Sequence, residues 1–301
     1  MKNIKLFSIA VLVLFATSCS NDNTTPNSFG NVTVNMTDAP MHYNQFTKAN
    51  VTIDKMEIGN STNPNSFITM SNTPMKINLL GLVNGITETM ASLEVPEGTY
   101  NMIRLYMSST EMVMKNGNSY QYSMEQNGFS GNGMMQNGMM LNKDTRSIDI
   151  AFEHSLMVSN GSMNEYLLDI DVEHSFIPNG VSFSGMGANM MMNMTGFTFT
   201  PMMRFINMQN AGSFEGTVYD SNGNLANATI TLLQNGSVYT TTHTNSNGEY
   251  ALIGIPEGDY TIMVEMDGYI LNPVGNEANI GVLHMVPSSK MIVDFSMILK
   301  N

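Results

Sequence analysis

The residues best suited to chemistry in this 301-residue chain are thioethers. Methionine occurs 31 times, and two tracts concentrate it. Met134, Met135, Met139 and Met140 fall within GNGMMQNGMM. Met186, Met190, Met191, Met192 and Met194 fall within GMGANMMMNMTG. A thioether sulfur is a soft ligand suited to Cu(I) or Ag(I). The remaining residues of both tracts are mostly Gly, Asn and Gln, so these sulfurs are poorly placed to be core. Two histidines extend the set. The segment IDIAFEHS (148–155) is echoed by LDIDVEHS (168–175). Read as strands, period two puts Ile150, Phe152 and His154 on one face, and Ile170, Val172 and His174 on the equivalent face. If the two strands are neighbours, His154 and His174 approach each other at one end of the apolar face. Asp149, Glu153, Asp169, Asp171 and Glu173 point the other way. They form a carboxylate row that could take Ca2+, although the dense D-x-D-x-D-G loop of a calcium site is missing.

Plainer readings stand beside these. Methionine replaces leucine readily in cores, and Met36, Met56, Met102 and Met107 sit in strand alternation. Exposed methionine also scavenges oxidants reversibly, and a methionine-rich loop can form an adaptable contact surface. Packing is the preferred reading of the methionines, and capping of a core edge that of the two histidines. Signatures of catalysis are missing: there is no G-x-S-x-G elbow, phosphate loop or H-E-x-x-H. The chain reads as a non-enzyme, with no catalytic residue assigned.

Residues 1–18 have the layout of an export signal. Lys2 and Lys5 precede an apolar run over 6–16, far short of the ~20 residues of a spanning helix. The run leads into Ala16-Thr17-Ser18-Cys19, and Cys19 is the only cysteine. This resembles the lipobox of bacterial lipoproteins, with Ala16 where leucine is usual. The resemblance implies a lipidated Cys19 as mature N-terminus and membrane attachment through its acyl chains. Ser20 after the cysteine, by the same resemblance, points to the outer membrane. Residues 19–29 are polar and aperiodic, a tether. A formal charge of −13 repels phosphate backbones, so nucleic acid is set aside as a partner.

The elements that must position all of this are strands. No segment keeps helical periodicity beyond about ten residues without Gly or Pro. Val32, Val34 and Met36 alternate, and Val51, Ile53, Met56 and Ile58 suggest the next strand. Asn-Gly pairs at 116–117, 160–161, 179–180, 222–223, 235–236 and 247–248 signal type I′ hairpins. The fold expected is all-β, with two β-sandwich domains in tandem after the signal peptide, over residues 30–209 and 211–301.

Several blocks of the first domain carry a resemblance: VTVNMTDAP, INLLGLVNG, VPEGTYNMIRL, LLDIDVEHSFI and FTFTPMMRFI. In this order they are similar to a bacterial family called domain of unknown function 4382, which implies a surface or secreted setting. In the second domain, GTVYDSNGNLANATITLL and TNSNGEYALIGIPEGDYTIMVEMDGYI resemble the carboxypeptidase regulatory-like domain. That resemblance implies a seven-stranded transthyretin-like sandwich, an accessory module without peptidase residues. Such folds group with carbohydrate-binding ones, so glycan and surface protein are both candidate partners. The chain has no Trp, which leaves Tyr43, Tyr120, Tyr122, Tyr219, Tyr239 and Tyr269 as sugar platforms. Adhesion or binding without catalysis is the leading function, with Cu(I)/Ag(I) binding and glycan binding as alternatives.

Overall fold

The computed structural model describes residues 28–39, 45–127, 133–134, 139–142, 144–180, 194–272 and 281–300. The first unit holds β1 (Phe29–Ala39), β2 (Phe46–Asn60), β3 (Asn63–Ser71), β4 (Met75–Asn78), β5 (Glu88–Pro96), β6 (Gly98–Met114) and β7 (Ser119–Ser123). It continues through β8 (Gly133–Met134), β9 (Met139–Asn142), β10 (Ser147–Val158), β11 (Met163–Asp171), β12 (Phe176–Asn179), β13 (Gly196–Phe199) and β14 (Met203–Asn207). Four strands form one sheet in the order β14-β11-β1-β5, β3-β2-β6-β10-β9-β8 form a second with β4 and β7 added to it, and β12 and β13 pair as a separate ribbon. Strand β1 is central, parallel to β11 and antiparallel to β5.

Period-two alternation builds the core between these sheets. Val32, Val34 and Met36 of β1 and Leu168 and Ile170 of β11 pack in one cluster with Ile103, Leu105, Ile148 and Ile150. Along β2 the buried positions step by three from Ile53 to Met56, and register shifts against β6 at this point absorb the extra residue. A bulge is the means by which a strand keeps its apolar face inward across such a break.

The second unit holds β15 (Ala211–Asp220), β16 (Gly223–Asn224), β17 (Thr229–Gln234), β18 (Ser237–His243), β19 (Glu249–Pro256), β20 (Gly258–Glu265), β21 (Tyr269–Leu271), β22 (Leu283–Met285), β23 (Lys290–Ile292) and β24 (Phe295–Leu299). These are ten strand segments, where the resemblance implied seven. Sheet β18-β17-β20-β22 packs against the group around β15, burying Tyr250, Leu252, Tyr260, Ile262, Phe295 and Met297. The two units share one corner. In Pro96-Glu97-Gly98-Thr99-Tyr100 the tyrosine hydroxyl donates to the Pro96 carbonyl at 2.8 Å. In Pro256-Glu257-Gly258-Asp259-Tyr260 the Tyr260 hydroxyl donates to Pro256 O at 3.1 Å. Each corner carries the chain from one sheet to the other, from β5 to β6 and from β19 to β20.

The Asn-Gly pairs divide. Asn116-Gly117 joins the paired strands β6 and β7, and Asn235-Gly236 joins β17 and β18. Asn160-Gly161 and Asn247-Gly248, expected as hairpins, connect strands of different sheets instead. Among the six pairs only Asn235-Gly236 has positive φ at both residues, 52° and 78°, as a type I′ turn requires. In the other five pairs only the glycine adopts it, so local composition marked a turn without fixing its partner strands.

The units meet along a packed seam. On β11 the alternation of exposed Met163 and Glu165 gives way to continuous burial from Tyr166 to Ile170. Its second face is covered there: Leu167, Ile206 and Ala211 form a small cluster with Met208 and Ile253. Gly254, at φ 67°, lies so close that a Cβ would sit 2.7 Å from the Leu167 side chain. A turn at Asn84-Gly85 also has positive φ at both residues, 60° and 78°. Its Asn84 side chain accepts from the Ala251 amide at 2.6 Å and donates to the Glu249 carbonyl at 3.3 Å. That side-chain amide satisfies the β19 backbone as a neighbouring strand would.

A polar groove at the seam

The residues first marked for chemistry are scattered by the fold. Cys19, Met135, Met190, Met191 and Met192 lie outside the described residues. Met134 stands opposite Met140 in the β8–β9 ladder, and Met140 is half exposed. Met139 and Met194, expected outside the core, are buried in it, at 0% and 4% exposure. Met139 faces inward because it pairs with Ile150 on the apolar side of the sheet. The polar composition around Met139 hid a two-residue alternation along β9 that places every second side chain inside.

The histidine expectation is corrected as well. β10 pairs with β6 and β9, whereas β11 pairs with β1 and β14, so the two echoing segments are in different sheets. His154 is exposed on β10. Strand β11 ends at Asp171, and Val172–Ser175 is a helical turn, so His174 does not continue the strand face. Asp171 caps that turn, accepting from the His174 amide at 3.0 Å and pairing with its ring Nδ1 at 2.7 Å. The carboxylate row is likewise committed. Arg104 grips Asp149 with two bonds of 2.6 and 2.7 Å, and Arg204 pairs with the buried Asp169. Guanidinium groups thus neutralise Asp149 and Asp169, two of the five carboxylates read as calcium ligands, and among the described residues no three of His, Cys, Asp and Glu gather as a metal site. The tyrosine platforms are dispersed too. Tyr122 is buried, the Tyr120 hydroxyl donates to Met194 O at 2.7 Å, and Tyr239 lies beneath Arg204. Tyr43 lies outside the described residues.

What the fold does assemble is an open groove of about 420 Å3. Its floor is the outward face of β1, where Asn31, Thr33 and Asn35 alternate with the core residues Val32, Val34 and Met36. Thr89 of β5 lines one side, and Met163, Asn164 and Glu165 of β11 the other. Met208, Gln209 and Ser288 close the end at the seam, so both units contribute to it.

The floor is held by its own hydrogen bonds. Thr33 donates to Asn31 Oδ1 at 2.9 Å and lies 2.9 Å from the Ser92 hydroxyl. Asn35 donates to Glu165 Oε1 at 2.7 Å and accepts from Thr89 at 2.8 Å. Gln209 reaches across to the Met163 carbonyl at 3.0 Å. Glu165 is the single charged lining residue, and the lining includes no histidine, lysine or serine–base pair. Such an arrangement can present ordered donors and acceptors to a ligand; it has no base poised on a nucleophile. The alternation N-V-T-V-N-M was the available sign of this face, and sequence reasoning followed only its apolar half.

A family model described as Domain of unknown function (DUF4382) matches residues 29–184. One described as Carboxypeptidase regulatory-like domain matches residues 213–274. No curated protein matches the chain. Among solved structures, the Bacillus anthracis TIE protein is similar at 14% identity, over 89% of this chain and 34% of that one, with a TM-score of 0.23. The major pilin subunit BcpA of Bacillus cereus is similar at 9% identity, over 89% and 99%, with a TM-score of 0.22. The shaft pilin spaA from Lactobacillus rhamnosus GG is similar at 9% identity, over 89% and 98%, also at 0.22. The chain thus spans about a third of the TIE protein.

Proposed function

Because this chain belongs to the family of the domain of unknown function DUF4382 and continues into a carboxypeptidase regulatory-like domain, we propose that it is a membrane-anchored surface lipoprotein with a non-catalytic binding role. The observation that carries the binding role is the seam groove. Its volume falls in the range of small-ligand sites, and its polar side chains are fixed by one another before any ligand arrives. Fixed donors and acceptors lose little freedom on binding. The anchoring rests on the short apolar run ahead of the unpaired Cys19, with several acyl chains on one residue supplying stable attachment.

Two measurements test this reading. Cys19→Ser expressed in the native host is expected to move the protein from the membrane pellet to the soluble fraction and to abolish palmitate labelling; unchanged labelling overturns the anchor. Incubation of the detergent-solubilised full chain with panels of esters, glycosides and peptides is expected to leave them intact. Turnover that disappears on Glu165→Gln would overturn the non-catalytic role.

A further inference from the structure

We propose that the seam groove takes a neutral, hydroxyl-rich ligand, a carbohydrate chain laid along β1. The inference rests on the groove being a binding site and names what it binds. Charge makes the first selection. The groove is lined by one carboxylate and no cation, in a chain whose formal charge is −13. An anionic ligand finds no counter-charge there, and Glu165 already accepts from Asn35.

Hydrogen-bond chemistry makes the second selection. Asn31, Thr33, Asn35, Thr89, Gln209 and Ser288 each both donate and accept through the side chain. A sugar hydroxyl does the same, so a row of hydroxyls can be met in either sense. Residues two apart on one strand face are about 7 Å apart, so Asn31 to Asn35 spans about 13 Å, the length of a short oligosaccharide. Met163, 78% exposed on one side, and Met208 at the seam end offer unbranched thioethers. These can lie against the C–H faces of sugar rings where an aromatic platform is missing from the lining.

Backbone pairing argues against an extended peptide in the same place. A peptide added as a strand needs a free sheet edge, and β1 is bonded on both sides, to β5 and β11. The β1 floor therefore reads a ligand through side chains alone. Because Ser288 of the second unit closes one end, an occupant reaching it touches both units.

The test is affinity electrophoresis of the full chain in mild detergent, through gels containing a neutral glucan, a mannan, a galactan or acidic polygalacturonate. Retardation by at least one neutral polymer, with none by the acidic one, is expected. Asn35→Ala, Thr33→Val and the exposed-turn change Gln209→Ala should each weaken that retardation about tenfold, the loss of one or two hydrogen bonds to ligand, while thermal midpoints stay near wild type. Equal retardation of wild type and all three variants would place glycan binding elsewhere, overturning this inference and leaving the binding role intact. No retardation by any neutral polymer, or stronger retardation by the acidic one, would overturn the ligand class. In that event a random peptide library panned against wild type and Asn35→Ala decides whether the groove binds at all.

Discussion

Replacing Arg204 with methionine removes a charge from the seam while keeping most of the apolar stem. The guanidinium pairs with Asp169, donates to the Tyr239 carbonyl at 3.2 Å and lies 4.4 Å from the centre of the Tyr239 ring. Asp169 is 6% exposed, and its second oxygen, Oδ1, has no hydrogen-bond partner among the described residues. Arg204 is thus the cationic partner of a buried carboxylate, and its removal leaves that charge uncompensated. Breaking such a pair costs about 3–5 kcal/mol, and the ring contact adds about 1 kcal/mol. Arg204→Met is therefore expected to lose about 4–6 kcal/mol in urea unfolding followed by far-ultraviolet circular dichroism. The pair is shielded from solvent, so the loss should change little between 0.05 and 0.5 M salt, both values on the order of ordinary assay conditions. The companion Asp169→Leu/Arg204→Met removes both charges and should return to within about 2 kcal/mol of wild type, since apolar replacement of a whole buried pair is often neutral. A loss below about 1 kcal/mol for Arg204→Met, or a double variant no more stable than the single one, would refute this account of the seam.

Three further outcomes follow from the same contacts. Tyr166 is 2% exposed with its hydroxyl unpartnered among the described residues, and burial pushes its pKa up to about 12; its ring stacks on Phe205 and Phe152 at 4.7 and 5.2 Å. Tyr166→Phe keeps the stack and should raise stability by about 1–2 kcal/mol, seen as a higher thermal midpoint; a lower one would show that the hydroxyl has a partner. Lys76 first, then Asn50 and Ser119, hold the Glu111 carboxyl at about 2, below its ordinary 4.5. Its contribution is fully present above pH 4.5 and is lost as pH falls toward 2; because Lys76 is exposed and solvent screens the pair, Glu111→Gln should flatten the acid limb of the stability profile by only about 1 kcal/mol. At the Asn84 turn, Asn84→Ala loses both the bonds to β19 and tolerance of positive φ, costing about 2 kcal/mol, while Asn84→Gly loses the bonds alone, about 1 kcal/mol. Equal thermal midpoints for the two variants would remove φ from the explanation.

The periodicity of single strands was legible because it is a local property. Val32, Val34 and Met36, and later Tyr250, Leu252, Tyr260 and Ile262, announced their burial by alternation, and each proved to be core. Turn glycines were legible for a similar reason: positive φ is a demand that one residue meets by itself. The expected lipidation of Cys19 and the expected exclusion of nucleic acid likewise rest on local sequence and net charge alone. Which sheet a strand joins was not legible, because the echoing segments 148–155 and 168–175 carry no mark of their partners. Only pairing placed them in opposite sheets, separated His154 from His174 and gave their carboxylates to Arg104 and Arg204. Met139 and Met194 looked like loop ligands because their neighbours are polar, yet strand register turned Met139 inward and Met194 is buried just ahead of β13. The groove was half visible as N-V-T-V-N-M, whose apolar face declared itself while its amide face gained a purpose only beside Thr89, Glu165 and Gln209. Alternation is written into one strand, whereas a site is written into the pairing of strands far apart in the chain, and only the packed sheets bring those together.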